Sequence, residues 1–462
     1  MILNLIFGFL ALLSLALTLW QWLVARRFPL HQRVPGPSSA HEPPVTLLKP
    51  LKGCDGATVG CLRSWFAQQY SGPVQVLFGV AAADDPVCGV VRKLLAEFPA
   101  VDAQLVTGTP LPGTNAKVAK LAELESLAKH DVLVISDADV RVPPDFLANI
   151  VAPLCSVSRS LGEGCGERTP RTIDTLCGPE PKGQNGPLTP AHSPSEGERG
   201  SRRQFSGEPR FMGRAYGLVC CFYRLANPAT LAMQWEAIAV NADFWSQVLQ
   251  ARSLKPLDFA LGAVMATRRQ QLREIGGFAG LVDCLADDYQ LGNRIARRGY
   301  AIALSPVVVE CWSAAMGWAD VWKHQLRWAR TIRVCQPVPY FFSILSNATL
   351  WPILWLILRP AAPVAACAFL CLLARVLTAL HFQKRLNKAP SPAERAVDWT
   401  LTDGATVQSP SSGAARYAWL IPLKDLLQAA IWLLAFLGNR VEWRGQRLRL
   451  RPDGTLERTP YS

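Results

Sequence analysis

Val132-Leu133-Val134-Ile135-Ser136-Asp137-Ala138-Asp139-Val140 decides the fold. Four branched or aliphatic residues in a row, closed by a polar turn, read as a strand buried on both faces. Two carboxylates at i and i+2 follow at once. Leaving a strand end together, they can share one divalent cation, and Mg2+ or Mn2+ prefers such oxygens. A diphosphate would complete the shell. An isolated Asp-x-Asp is more often a solvated turn, so the strand in front of it carries the argument.

Working outward, similar apolar runs lie at 45–48 and 74–81, and the quoted strand is taken as 131–135. Helical patterns at 85–98 and 117–128 separate them. Alternating strands and helices predict βαβ units and a mainly parallel sheet, an α/β domain over 44–335. Such sheets bind ligands beyond the carboxyl ends of their strands. The second run ends in Asp84-Asp85-Pro86. An acid there can accept from uracil or ribose, or Asp85 can cap the next helix. Cys284-Leu-Ala-Asp287-Asp288-Tyr289 opens a further helix. Adjacent acids on a helix diverge, which predicts one facing a cleft and the other facing water. In Trp322-Lys-His324-Gln-Leu-Arg327-Trp328 the histidine, arginine and tryptophan share one helical face. They suit a diphosphate and a sugar or lipid edge, or an interfacial anchor. The stretch 158–210 is rich in Gly, Pro, Ser, Glu and Arg, and reads as a disordered insertion.

Only 18% of the 462 residues are charged and half are hydrophobic, against about 25% charged in average soluble domains. The deficit falls in long apolar runs. Residues 2–24 carry no charge and are followed by Arg26 and Arg27, which predicts an uncleaved transmembrane anchor over 1–25 with a cytoplasmic exit. Runs at 338–358 and 361–382 flank Arg359-Pro360 and predict a transmembrane hairpin over 336–383. Arg375 inside the second run must snorkel or find a partner. The stretch 417–438 contains Pro422, Lys424 and Asp425, which favours a re-entrant or interfacial segment over a clean span. A basic cytoplasmic tail is expected over 439–462. The net charge of +13 fits an anionic membrane surface or a phosphorylated substrate. It is spread over tail and loops without a recognisable module, so nucleic acid is not expected as a partner. The thirteen cysteines form no C-x-x-C pair and read as free thiols.

Acids at 84–85, Asp-x-Asp at 137–139, acids at 287–288 and x-x-x-Arg-Trp at 324–328 occur in an order that resembles the inverting family-2-type glycosyltransferases, marked by D, DxD, ED and (Q/R)xxRW. Leu47-Leu-Lys49-Pro-Leu-Lys52-Gly53 and Trp443-Arg-Gly-Gln-Arg-Leu-Arg449 look like the ceramide glucosyltransferase family. The segment from Ala286 to Gly292, with His324-Gln-Leu-Arg-Trp-Ala-Arg330, is similar to bacterial hopanoid-associated members. The resemblance implies a GT-A-type nucleotide-sugar domain in an integral membrane protein, its catalytic part cytoplasmic, in a bacterial inner membrane. It implies that Asp85 and Asp137 contact the donor, that Asp139 holds Mg2+ or Mn2+, and that Asp288 is the general base. Arg327 and Trp328 would clamp diphosphate and acceptor, with Lys117 near the donor. His324 stands where relatives have Gln or Arg. The implied reaction moves one sugar from a UDP-sugar to a lipid hydroxyl with inversion. A hopanoid N-acetylglucosaminyl transferase and a processive polysaccharide synthase are the alternatives.

Overall fold

The computed structural model describes residues 1–33, 42–108, 112–155, 214–387, 415–443 and 446–458. The expected insertion at 158–210 lies outside the described residues. Eight strands form one sheet: β1 (Val45–Leu51), β2 (Val74–Val80), β3 (Asp102–Thr107), β4 (Val132–Ser136), β5 (Val140–Arg141), β6 (Tyr216–Leu225), β7 (Val264–Arg268) and β8 (Ala301–Cys311). Their order is β3-β2-β1-β4-β7-β6-β8-β5. The β1–β2, β1–β4, β2–β3 and β6–β8 pairs are parallel. β7 runs antiparallel between β4 and β6, and β5 lies antiparallel on β8. The α/β expectation of a mainly parallel GT-A-type sheet is met, with antiparallel members that the apolar runs alone did not announce.

The sheet is covered on both faces, and the side chains alternate between them. Leu48, Leu77, Leu133 and Ile135 enter one apolar core, whereas Val45, Leu47, Val76, Phe78, Val132 and Val134 enter the other. Two buried faces remove the need for polar alternation, which is why these strands read as unbroken apolar runs. Strand order reverses at β1, with β2 on one side and β4 on the other. The carboxyl ends of β1 and β4 therefore flank a crevice of the kind that holds ligands in open α/β sheets. Asp137 and Asp139 leave β4 at that point.

Two helices, Ile2–Arg27 and Ala362–Leu386, are long and apolar enough to cross a bilayer. The first limb of the expected hairpin is not one helix. It breaks into Pro337–Ser346 and Leu350–Leu358, bent by 55°. Asn347 causes the break, since its Oδ1 accepts the backbone N–H groups of Thr349 and Leu350 at 3.2 and 2.9 Å and so starts a new helix. The 417–438 stretch contains a 17-residue helix, Leu420–Phe436, short of the ~20 residues a span needs. The N-terminal helix is pinned to its neighbours: Trp355 Nε1 donates to Asn4 Oδ1 at 2.8 Å, and Gly8 leaves the space that the Trp355 ring fills.

Arg375 finds partners rather than snorkelling. Its Nη2 meets both Asp243 oxygens at 2.9 and 3.0 Å and Asp425 Oδ1 at 2.8 Å, while Nε donates to Asp425 Oδ2 at 2.9 Å. Lys424 pairs with Asp243, and Thr349 Oγ1 donates to Asp425 at 2.6 Å. Two cations and two anions thus neutralise one another across three elements. Asp243 lies in a π-helical turn, Ala239–Phe244.

The segment expected as a basic tail is folded. Strands β9 (Arg440–Trp443), β10 (Gln446–Leu450) and β11 (Leu456–Arg458) form an antiparallel meander in the order β11-β10-β9. Leu448 and Leu450 point inward while Arg447 and Arg449 are exposed. That alternation is the period-2 signal of a half-buried strand.

Candidate active site

The Asp137–Asp139 turn is fixed from both sides by backbone contacts. The Asp137 N–H donates to Ala263 O at 3.2 Å, and the Trp312 N–H donates to Asp139 O at 2.9 Å. Beneath it lies Lys49, a fully buried cation on β1. Its Nζ donates to Ser136 Oγ at 3.1 Å and to Asp137 O at 2.5 Å, over the face of Trp65. Burial lowers Lys49 to about 8 against the pull of nearby acids. Desolvation by the surrounding protein, and next the Asp137 charge, raise the Asp139 carboxyl to about 6, although the residue itself reaches the surface.

Lys117 connects this turn to the second acidic motif. Its Nζ lies 2.7 Å from Asp137 Oδ1 and 3.0 Å from Asp287 Oδ2. Burial alone would lower Lys117, but the two carboxylates outweigh it and hold the ammonium above its ordinary range. Its position depends on Asn115, which is fully buried at the start of the Ala116–Leu127 helix. Asn115 Oδ1 accepts from the Lys117 and Val118 N–H groups at 3.1 and 3.2 Å, and its Nδ2 donates to Cys284 O at 2.8 Å. One amide therefore caps the helix and ties it to the loop bearing Asp287. Asn115→Ala loses the cap and strands buried backbone groups, so it should cost about 1–3 kcal/mol. A lower melting temperature with weakened UDP affinity is the expected result, and unchanged values in both assays would contradict this geometry.

Both members of the acid pair face inward, a correction to the expectation that one would face water. Asp287 pairs with Lys117. Asp288 Oδ1 accepts its neighbour's N–H, from Tyr289, at 2.7 Å. Asp288 Oδ2 lies where a side chain at Gly262 would stand, 2.7 Å from a Cβ there, so only glycine leaves room. Burial, and next the Asp287 charge, raise Asp288 to about 6, although Lys117 opposes the shift.

The remaining expected residues lie on neighbouring elements. Asp85 caps the Val87–Glu97 helix through the Val87 N–H at 3.0 Å. It also accepts the Gly53 N–H at 2.9 and 3.1 Å, holding the loop after β1 where Gly53 has φ +71°. His324 Nδ1 is 2.7 Å from Oε1 of buried Glu236, which Gln325 also meets at 3.0 Å. The His324 ring packs edge-on against Trp328 at 4.5 Å, and Phe244 lies 6.4 Å from Trp328. Arg327 lies on the same helix, Trp318–Cys335. That helix abuts the acid-bearing one through Tyr289, whose hydroxyl donates to Cys335 O at 2.9 Å and accepts from Gln336 at 3.0 Å.

Asp137, Lys117 and Asp287 thus form one ion-paired centre with Asp139 and Asp288 beside it, while His324 and Gln325 meet on Glu236 and Trp328 packs on His324. Sequence reasoning missed Lys49 as a prop, Asp287 as an inward partner, Glu236 and Tyr289. Asn115 was missed too, both as the cap of the Ala116–Leu127 helix and as a partner of Cys284.

The donor set suits a hard divalent cation. Asp139 is exposed at the tip of the turn, where its carboxylate is open to a cation, and the neighbouring Asp137 charge adds to its raised proton affinity. Among the described residues no group of three or more His, Cys, Asp or Glu side chains could hold a metal. A cation at Asp139 would complete its shell from the phosphates of a bound nucleotide, as hard cations commonly do.

The model of glycosyl transferase family 21 matches residues 6–162 and 209–456. A ceramide glucosyltransferase of Candida albicans is 35% identical over 133 residues, 26% of this chain and 24% of that protein. The chain's match therefore spans about a quarter of that relative's length. Ceramide glucosyltransferase 3 of Caenorhabditis elegans is 21% identical over 441 residues, 93% of this chain and 77% of that protein. Among solved structures, a mannosyltransferase of Pyrobaculum calidifontis in complex with GDP-Man and Mn2+ is 18% identical, with a TM-score of 0.44 over 93% of this chain and 98% of that one. Glucosyl-3-phosphoglycerate synthase of Mycobacterium tuberculosis, in complex with Mn2+, UDP and phosphoglyceric acid, is 14% identical, with a TM-score of 0.33 over 64% of this chain and 79% of that one.

Proposed function

The chain belongs to glycosyltransferase family 21, and we propose that it moves one sugar from a UDP-sugar to the hydroxyl of a membrane lipid with inversion, in the manner of a ceramide glucosyltransferase. The observation that carries this reading is the Lys117 bridge from Asp137 to Asp287, which sets a carboxyl poised near neutrality beside an Asp-x-Asp turn.

Asp288 accepts the proton of the lipid hydroxyl while that oxygen attacks the anomeric carbon. The bond from that carbon to the diphosphate oxygen breaks, and UDP leaves with the electron pair. Attack opposite the leaving group turns an α-linked donor into a β-linked product. Asp139, with Asp137, would hold Mg2+ or Mn2+, which supplies charge neutralisation at the diphosphate. Lys117 keeps Asp137 and Asp287 from repelling each other. Arg327 and Trp328 hold the diphosphate and the acceptor edge, and Asp85 contacts the nucleoside through the loop it secures. The helices Ile2–Arg27 and Ala362–Leu386 anchor the protein in the bilayer that supplies the acceptor. Arg26, Arg27, Lys384 and Arg385 at their ends favour a cytoplasmic catalytic domain.

The test uses the full-length protein in detergent with Mn2+ or Mg2+ and a panel of UDP-sugars. Ceramide, diacylglycerol and a hopanoid polyol are offered as acceptors, and products are read by mass spectrometry and anomeric NMR. The expected result is one β-linked sugar on one lipid class, abolished by EDTA and restored by the metal. Sugar on the hopanoid alone would change the acceptor to a polycyclic polyol. A polymer, or no lipid product, would overturn the reading.

A further inference from the structure

Among the described residues the C-terminal sheet touches two parts of the candidate active site. On one side it pairs with the loop in front of the acid pair. The Leu456 N–H donates to Asp283 O at 2.7 Å, and the Leu285 N–H donates to Gly454 O at 3.3 Å. Cys284 and Thr455 form an antiparallel bridge between them. Leu285 is buried in one apolar cluster with Val441, Leu448, Leu450 and Leu456. On the other side Val334 of the Trp318–Cys335 helix packs against the same cluster. Arg330 of that helix donates to Arg440 O, Arg333 donates to Asn439, and Lys323 pairs with Glu442 at 3.2 Å.

The acid loop needs such support. Gly276 and Gly277 have φ of +91° and +67°, and a single short 3-10 turn, Phe278–Leu281, precedes Cys284. The backbone groups of 283–285 have no regular element of their own and must find partners elsewhere. Within the loop the Cys284 N–H donates to Leu281 O at 3.0 Å, Asn115 Nδ2 donates to Cys284 O, and Thr114 holds the Asp283 side chain; the C-terminal turn pairs the Asp283 carbonyl and the Leu285 N–H.

We infer that the C-terminal sheet is a clamp that positions Asp287 and Asp288 against the His324–Trp328 helix, a positioning role for residues 440–456 that rests on the reaction proposed above. It acts by adding a strand in cis to the acid loop. Its contacts run to the acid loop and to the Trp318–Cys335 helix rather than to the Asp137–Asp139 turn, so its loss affects transfer more than nucleotide binding.

Cys284 and Thr455 permit a direct test in the full-length protein. The bonds fall on the flanking residues, so the two form a non-hydrogen-bonded pair with Cα atoms about 4.5 Å apart, within reach of a disulfide. Thr455→Cys is made alone and together with Leu448→Ala and Leu450→Ala, which loosen the sheet. Peptide mass mapping confirms the disulfide between Cys284 and the introduced thiol after oxidation. Under reducing conditions the loosened variant should show kcat lower by on the order of 10- to 100-fold, as expected for a misplaced catalytic group, with UDP affinity falling by a smaller factor through Arg327. Oxidation should restore kcat to about the level of oxidised Thr455→Cys. Hydrogen exchange at 283–290 should rise in the loosened, reduced protein and fall again on oxidation. Unchanged kcat while exchange in 440–456 rises would overturn the clamp, and so would a formed cross-link that restores neither kcat nor protection. A sheet that resists loosening in this triple variant, with no rise in exchange, would also overturn it, because the apolar cluster would not be what holds the turn. Should the parent transfer no sugar to any lipid, the proposed function fails, and exchange at 283–290 still decides the clamp.

Discussion

Asp288→Asn is expected to lower kcat by about 1,000-fold, within the 100- to 10,000-fold range typical of removing a general base. UDP affinity should change little, because Asp137, Asp139 and Lys117 keep their arrangement. The asparagine fits the same space over Gly262 and can still accept the Tyr289 N–H. What it cannot do is take a proton. The pH profile separates this from a folding defect. Asp288 ionises near 6 in the protein and near 3.8 ordinarily, because burial and Asp287 disfavour its charge. In the parent enzyme kcat/KM should rise with pH and level off above about 6, as the carboxylate form accumulates. In Asp288→Asn that acidic limb should vanish. The stability sign runs the other way. The folded state keeps this proton to higher pH than the unfolded chain, so the Asp288 contribution to stability falls as pH rises from about 3.8 to about 6. At pH 7 the asparagine variant should therefore melt no lower than the parent. A fully active variant, or a folded one that keeps the acidic limb, would remove Asp288 from the base role.

The largest effect on stability is expected from Arg375→Leu. Asp243 and Asp425 share this guanidinium, and all three are buried together with Lys424. Removing it leaves two buried carboxylates facing one ammonium. Breaking a buried ion network from one side typically costs about 3–5 kcal/mol, and here the helices Ala362–Leu386 and Leu420–Phe436 would lose their joint hold on the π-turn. The measurement is thermal unfolding in detergent together with the monodisperse fraction. Asp243→Asn with Lys424→Met removes one charge of each sign and keeps the Arg375–Asp425 pair. That double variant should be clearly more stable than Arg375→Leu. Equal losses would show that packing, rather than charge balance, sets the junction. Phe244, next to Asp243, lies against Trp328, so the unfolding of this junction should also disturb the Arg-Trp helix.

How much of this was legible depends on how local each signal is. The runs at 45–48, 74–81 and 131–135 revealed β1, β2 and β4 because a strand covered on both faces must be apolar at every position. The same locality placed Asp137 and Asp139 at a strand end, the helix starts near Asp85 and Lys117, and the long apolar runs at 2–24 and 361–382. Alternation in Gln446-Arg-Leu-Arg-Leu450 was present too, but the count of basic residues disguised it as a tail.

Sequence by itself determined which segments bury themselves and which carry acids, because burial and helix capping are set by residues within a few positions of one another. Only the tertiary structure decided that Lys117 joins Asp137 to Asp287, that Arg375 is neutralised by Asp243 and Asp425, that His324 faces Glu236, and that the C-terminal sheet braces the acid loop. The physical reason is that a buried charge or an unpaired backbone group requires a partner without specifying which one. In a long chain many residues of the right type exist, and only the packed sheet and helices bring one of them within hydrogen-bond distance.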